Sequence, residues 1–290
     1  MTSMAEHGTG FVRPEQKGQP FLKWAGGKAR LIEQIEPFFP TDYGRYFEPF
    51  IGGGAFYFHM APEEAVISDI NERLVCAYRT VRDDLPALME RLDALTKKHS
   101  RDHYYRCRER LNKARSMSDV ERAALMIYLN KTCFNGLYRE NRRGEFNVPM
   151  GSYKNPKVFC EENLHAVSAQ LQNTDIRVQS FEYVLDEAQE GDLVYFDPPY
   201  VPISATSSFT SYVGAGFDLQ MQQRLAEIFT ELAHRGCYVY LSNSDSPVVR
   251  ELYRGWRVET VLAGRSINSK GNGRQRINEV LVVGKPAIRG

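Results

Sequence analysis

The chain contains a ten-residue run, Gly191-Asp192-Leu193-Val194-Tyr195-Phe196-Asp197-Pro198-Pro199-Tyr200, with a carboxylate at the end of an apolar stretch and two prolines directly after it. Leu193 to Phe196 reads as a short, fully buried strand. Pro198 has no N–H, and Pro199 drives Pro198 into an extended conformation, so the backbone leaves the strand stiff. One carboxylate, carbonyls that no local N–H claims and an aromatic face together suit an exocyclic amino group on a nucleobase. Asp197 and the Pro198 carbonyl would accept its two hydrogens while Tyr200 stacks on the ring. Acceptors aimed in this way would free the nitrogen lone pair to attack an electrophile. A surface turn in which Asp197 caps the next segment is the other reading of so short a motif.

Two upstream stretches have the composition of a small-molecule site. Phe21-Leu22-Lys23-Trp24-Ala25-Gly26-Gly27-Lys28 fails as a P-loop, since Leu22 stands where the first glycine belongs and Ala29 where a hydroxyl would hold magnesium. What remains is a Gly-Gly turn before an amphipathic stretch, Ala29 to Phe38, expected to be helical. With Trp24 and Lys28 beside it, the turn suits an anionic, ring-bearing ligand whose carboxylate sits at the helix N-terminus. Tyr46 to Asn71 then reads as strand, glycine turn, helix to about Met60, and a second strand ending at Asp69. This is a nucleoside-binding unit in which glycines admit the ligand and the acid takes ribose hydroxyls. The dinucleotide fingerprint is broken because Phe56 and Tyr57 follow Gly52-Gly53-Gly54-Ala55, which argues against a nicotinamide oxidoreductase. S-adenosylmethionine carries one nucleoside, no pyrophosphate and an electrophilic methyl, and is the expected cofactor.

These stretches are spread over 290 residues that are 42% hydrophobic and 25% charged, enough for one large domain or a domain with an insertion. No apolar run approaches the roughly 20 residues of a membrane span. Residues 1–20 read as a flexible polar leader. The five cysteines are odd in number and widely spaced with no C-x-x-C, which indicates neither a disulfide framework nor a zinc site; the expected compartment is the reducing cytoplasm. His99 and His103 read as a solvated helix face, and no metal is expected. Net charge is only +1, but Arg139, Arg142, Arg143, Lys154 and Lys157 cluster, and Arg265, Lys270, Arg274 and Arg276 fall close together without an acid. Two basic loops suit phosphate contacts or are simply solvated.

Between the two βα halves lies a helical block. Leu74 to Val81, a stretch opened by Pro86, a third from about Asp102 to Ala114, and a fourth with a Ser118-Asp119-Val120-Glu121 capping box continue to Cys133. It leads into Asn130 to Lys154, where aromatics, Asn and Arg on a Gly-punctuated loop fit either base-edge reading or a packed β-hairpin. Beyond Val158 the αβ pattern resumes: strands at Ile176–Val178, Leu193–Phe196 and Cys237–Leu241, a helix from Asp218 to Ala233, and a closing antiparallel pair, Trp256–Leu262 with Ile277–Val283.

Over residues 21–285 the chain resembles the DNA adenine-N6 methyltransferases typified by the Dam methylases. Phe-Leu-Lys-Trp-Ala-Gly-Gly-Lys, Glu-Pro-Phe-Ile-Gly-Gly-Gly, Ser-Asp-Ile-Asn, Phe-Asn-Gly-Leu-Tyr-Arg, Gly-Glu-Phe-Asn-Val-Pro and Asp-Pro-Pro-Tyr occur in order. The resemblance implies an α/β fold: a Rossmann-like S-adenosylmethionine-dependent methyltransferase sheet (21–71 and 160–285) with an inserted helical DNA-recognition domain (72–159) carrying a β-hairpin loop. It implies a cofactor site of Trp24, Ala25, Gly26, Lys28, Glu48, Phe50, Gly52, Asp69, Ile70 and Asp197, with S-adenosyl-L-homocysteine as product. Asp197, Pro198, Pro199 and Tyr200 would hold a flipped adenine. In relatives that methylate GATC the segment matching Phe134 to Tyr153 reads the DNA. By that match Phe134 wedges into the stack, Asn135 supports it, and Leu137, Arg139, Asn147, Pro149 and Tyr153 face the bases, Arg139 reading a guanine. Lys154 and the stretch with Arg265, Ser266, Asn268, Lys270 and Arg274 would grip phosphates. The leader is longer than the motif requires, and Met150 and Ser152 fall where related sequences vary. The expected partner is double-stranded DNA, bound by a monomer encoded by a bacterium or phage and acting at the nucleoid, with a cognate restriction endonuclease as a possible functional counterpart. The alternatives are amino-group methylation of cytosine N4, RNA or a protein glutamine, and a non-catalytic DNA-binding relative.

Overall fold

The computed structural model describes residues 17–114, 116–201, 217–263 and 277–284. Among these, a seven-stranded sheet is built from β1 (Tyr46–Glu48), β2 (Ala65–Asp69), β3 (Thr174–Val178), β4 (Leu193–Phe196), β5 (Tyr238–Ser244), β6 (Arg257–Ala263) and β7 (Ile277–Gly284), in the order β3-β2-β1-β4-β5-β7-β6. The first five are parallel neighbours: Phe47 pairs with both Val66 and Val194, Asp69 with Val178, and Phe196 with Leu241. β7 runs antiparallel to both β5 and β6, the pairing expected of the two closing strands. Strand order reverses between β1 and β4, which opens a crevice at their carboxyl ends. Glu48, Asp69 and Asp197 therefore reach the same edge of the sheet.

β4 is the middle strand and all four of its residues are buried, as an apolar strand covered on both faces requires. Side-chain alternation divides the centre of the sheet between two cores. Tyr46 and Tyr195 join one with Phe56 and Tyr57; Phe47, Val194 and Phe196 join the other with Leu225 and Phe229. This is the Rossmann-like α/β arrangement expected from the sequence.

Among the described residues the helices are α1 (Ile32–Ile35), α2 (Ala55–Met60), α3 (Glu72–Asp83), α4 (Leu85–Lys97), α5 (Arg101–Lys113), α6 (Asp119–Thr132), α7 (Glu161–Leu171), α8 (Val184–Glu187), α9 (Leu219–Arg235) and α10 (Pro247–Leu252). Ser118 caps α6 by accepting from the Glu121 N–H at 3.3 Å, the bond that the capping box foretold. Every residue of α6 from Ala123 to Asn130 is buried, so α6 is an axle around which α3, α4 and α5 pack. α3 rests also on β2, β3 and α7, which fastens the helical block to the sheet.

Three local expectations are corrected. The helix expected from Ala29 to Phe38 is only the four-residue α1 followed by a 3-10 turn, Glu36–Phe38, that contains Pro37; proline removes the N–H that α-helical continuation needs. The leader expected at 1–20 is fixed at its end, with the Gly18 N–H on Gln170 Oε1 at 2.6 Å and Gln19 exchanging two bonds with Asn163. His99 and His103 do not form a solvated helix face: both rings pack edge-on to Tyr128, and His99 Nδ1 shares a hydrogen bond with its hydroxyl at 2.8 Å. Arg265, Ser266, Asn268, Lys270 and Arg274 lie outside the described residues, in the connection from β6 to β7. Among the described residues, no helix is long and apolar enough to cross a membrane.

Candidate active site

Asp197 follows β4 directly, and the turn it begins is pinned from behind. Gln222 of α9 donates to the Pro199 carbonyl at 2.8 Å, Asn243 of β5 accepts from the Val201 N–H at 3.1 Å, and Ser244 donates to the Val201 carbonyl at 2.6 Å. Gln222 and Asn243 are fully buried and bonded to each other at 3.2 Å. The stiffness read from the two prolines is thus reinforced by two carboxamides that take up backbone groups a proline-rich turn leaves over.

Lys28 points into this turn. Its Nζ lies 2.9 Å from Asp197 Oδ1 and 4.7 Å from the centre of the Tyr200 ring, and it also donates to the Gly26 carbonyl. The lysine is 3% exposed. The Tyr200 hydroxyl donates to Glu279 of β7 at 2.7 Å, fixing the plane of the ring. Burial raises the Asp197 carboxyl above its ordinary range, with Lys28 pulling it back down and Glu279 adding to the rise. Glu48 at the end of β1 is buried, accepts from the Tyr46 hydroxyl at 2.7 Å, and is pushed up to about 8 by burial. Three carboxyl groups, one ammonium and two phenols therefore converge where the strand order reverses.

The nucleoside-type unit lies beside them. The Asp69 carboxylate accepts from the Asn71 N–H at 2.9 Å and the Gly52 N–H at 3.4 Å, and burial raises it to about 6. A Cβ on Gly52, whose φ is +46°, would stand 2.7 Å from Trp24 Cδ1, so only glycine lets the indole lie on this turn. Ile70 is 70% exposed, and Val178, which pairs with Asp69, is 43% exposed. These two apolar side chains line the edge of the sheet beside the acid; Val178 escaped the sequence reading because its place follows only from the β2–β3 register. Phe50 is half-buried and stacks on Phe181, so it serves as the floor of this region. Ala25 and Gly26 are exposed. No carboxylate site at a helix N-terminus follows Gly27, because α1 begins only at Ile32.

The stretch from Phe134 to Lys154 abuts the same site. Trp24 stacks on Tyr138 with centroids 5.0 Å apart and planes 20° apart, and Lys23 Nζ lies 3.3 Å from the Tyr153 hydroxyl. Neither Lys23 nor Tyr138 was singled out from the sequence, although both lie within its quoted motifs. Phe134 is 51% and Leu137 36% exposed. Asn135, Arg139, Pro149 and Lys154 are also exposed, and Tyr153 is half-buried. Arg139 Nε donates to Asn147 Oδ1 at 2.7 Å, so Asn147, expected at the DNA, is engaged in aiming the guanidinium. The loop crosses back on itself through isolated antiparallel bridges, Cys133 with Met150 and Glu140 with Phe146.

Comparison with known proteins agrees with this geometry. A model of the family described as D12 class N6 adenine-specific DNA methyltransferase matches residues 24–267. The chain is 44% identical over 268 residues to the type II methyltransferase M1.LlaDCHI of Lactococcus lactis subsp. cremoris, covering 91% of this chain and 94% of that one. It is 43% identical over 284 residues to the type II methyltransferase M.MjaIII of Methanocaldococcus jannaschii, covering 91% and 98%. To the DNA adenine methylase of Escherichia coli it is 37% identical over 275 residues, covering 94% and 98%. Among solved structures, a putative RNA methyltransferase from Pyrococcus horikoshii aligns over 96% of this chain and 93% of its own at 11% identity and a TM-score of 0.40, a match too loose to bear on fold or function. The family match spans the Trp24–Lys28 segment, the Phe134–Lys154 stretch and the Asp-Pro-Pro-Tyr turn alike, and the chain belongs to the D12 class of N6 adenine-specific DNA methyltransferases.

Proposed function

We propose that the protein takes an adenine out of duplex DNA, within the sequence GATC, and methylates its N6 with S-adenosylmethionine as donor. The observation that carries this reading is the convergence of Asp197, Tyr200 and Lys28 beside the Asp69–Ile70 edge, with the recognition stretch bonded to the segment between them.

The residues present suit the cofactor. Asp69 offers carboxylate oxygen to ribose hydroxyls, Ile70 and Val178 give an apolar wall for a base, and the Asp197 carboxylate, paired with Lys28 in the free protein, suits a sulfonium cation. When bound, S-adenosylmethionine supplies a methyl group on sulfur and leaves as S-adenosyl-L-homocysteine. The adenine amino group enters where the Lys28 ammonium lies, between the Asp197 carboxylate and the Tyr200 face. Asp197 and the Pro198 carbonyl accept its hydrogens, and Tyr200 stacks on the ring. With S-adenosylmethionine bound, the N6 lone pair freed by these acceptors would take the methyl group, the sulfur keeping the electron pair of the bond it gives up. The proton then shed by the alkylated nitrogen passes to Asp197, whose burial favours the neutral acid, and on to water.

The helical block 72–159 serves as the target-recognition part, inserted into a catalytic part made of 21–71 and 160–285. Phe134 fills the space left by the flipped base with Asn135 beside it, and Arg139, steadied by Asn147, reads a guanine. Leu137, Pro149 and Tyr153 complete the base-facing surface, with Lys23 adding a cation; Lys154 and the Arg265–Arg274 stretch take phosphates. The protein acts as a monomer at the nucleoid. The type II names of two relatives support a restriction endonuclease of the same target as its functional counterpart.

Labelled methyl transfer into two duplexes, one with GATC and one with its adenine replaced, followed by nucleoside analysis, tests the proposal. N6-methyladenine confined to the GATC duplex is the expected result. Equal transfer into both would discard the target, and N4-methylcytosine would discard the base.

A further inference from the structure

We infer that Asn130 is a positioning residue for target discrimination: its carboxamide sets the register between the Lys23–Trp24 segment and the turn that presents Phe134, and so fixes how Arg139 meets the bases. The inference rests on reading Phe134 to Tyr153 as the DNA-reading stretch.

Asn130 lies in the last turn of α6 and is fully buried. Its Oδ1 accepts from the Lys23 N–H at 2.8 Å, and its Nδ2 donates to the Lys23 carbonyl at 2.8 Å and to the Gly136 carbonyl at 3.4 Å. One side chain thus binds both backbone groups of one segment and the backbone of another. Among side chains of this size only a carboxamide offers an acceptor and two donors. Aspartate would set its oxygens against two carbonyls, and serine cannot reach all three groups.

The turn held in this way has an unusual conformation. Asn135 and Gly136 both have left-handed backbones, at φ +55° and +64°, and the Leu137 N–H closes on the Phe134 carbonyl at 3.3 Å. This is a type I′ turn, for which Asn-Gly is the favoured central pair. A Cβ on Gly136 would collide with the Lys23 side chain, so the two segments are in direct contact at the point where Asn130 bonds both. The other links between these segments, Trp24 on Tyr138 and Lys23 on Tyr153, are side-chain contacts of half-buried or exposed residues. Asn130 is the buried one. A shift of the Phe134 turn relative to Lys23 would displace the wedge and the Arg139 loop together, because Leu137 and Arg139 follow the turn directly.

The experiment compares kcat/KM on the target duplex with that on a duplex in which one target guanine is replaced, for wild type, Asn130→Ala, Arg139→Ala and Thr132→Val. Thr132 is equally buried on the same helical turn, but its hydroxyl donates only to the Tyr128 carbonyl of its own helix, at 2.6 Å. Its variant therefore controls for general loss of stability. Asn130→Ala is expected to lower discrimination about 10-fold, with Thr132→Val at the wild-type ratio. If Asn130→Ala does not accumulate as folded protein, Asn130→Ser, which keeps one polar group, is read by the same ratio. Loss of discrimination in Arg139→Ala but not in either Asn130 variant overturns the inference. Unchanged discrimination in Arg139→Ala instead overturns the reading of the stretch on which it rests.

Discussion

Glu48 shows how a single residue is set by its place in the sheet. It ends β1, faces the Asp197 turn across the crevice, and holds its proton up to about 8 because burial outweighs the Tyr46 hydrogen bond. The sign of the consequence is fixed. The ordinary value is 4.5, so between that and about 8 the folded chain binds a proton that the unfolded chain does not. Stability falls as pH rises through this window, and the loss is complete above it. Glu48→Gln removes the titration. Chemical denaturation at pH 5 and pH 8.5 should therefore show a smaller pH-dependent loss for the variant than for wild type, and an identical loss would place the Glu48 proton elsewhere. The stiff turn at Asp197 to Tyr200, at the end of a buried strand, was legible in the sequence because it depends on neighbours in the chain. The partners that aim those groups were not: Glu279 reaches Tyr200 from 79 residues away, and Asn130 reaches Lys23 from 107.

At the level of elements, local rules succeeded where the chain itself decides the structure. The capping box opened α6, Asp218 capped α9 by accepting from the Met221 N–H at 3.0 Å, and the buried run of β4 became the middle strand. They failed at Ala29 to Phe38, where an amphipathic pattern is interrupted by Pro37 and the segment closes as a 3-10 turn. They also missed what holds the Asp-Pro-Pro-Tyr turn. Gln222 is fully buried and joins Pro199 to Asn243, so Gln222→Ala removes one hydrogen bond from each. A loss of about 1–3 kcal/mol in stability is expected. The rate of methyl transfer in a single turnover should fall about 10-fold as the turn loosens, with DNA affinity near wild type. Thermal unfolding and single-turnover kinetics measure the two, and an unchanged rate would show that the prolines alone suffice.

Across the whole molecule, function depends on one edge of the sheet gathering segments that are far apart in sequence. Residues 22–28, 48–54, 69–70 and 197–200 meet because strand order reverses between β1 and β4, and the helical block sets the 133–153 stretch against the first of them. The order of motifs along the chain does not specify that Trp24 covers Gly52 with one part and Tyr138 with another. Asp197 begins the rigid turn and pairs with Lys28 of the same segment whose Lys23 and Trp24 meet the 133–153 stretch. Single-turnover methyl transfer by Asp197→Ala on a GATC duplex, with duplex affinity measured on the same preparation, is the most direct test of its role. Transfer should fall by at least about 1,000-fold while affinity stays within a few-fold of wild type. Turnover near the wild-type rate would mean that the amino group is activated by other residues.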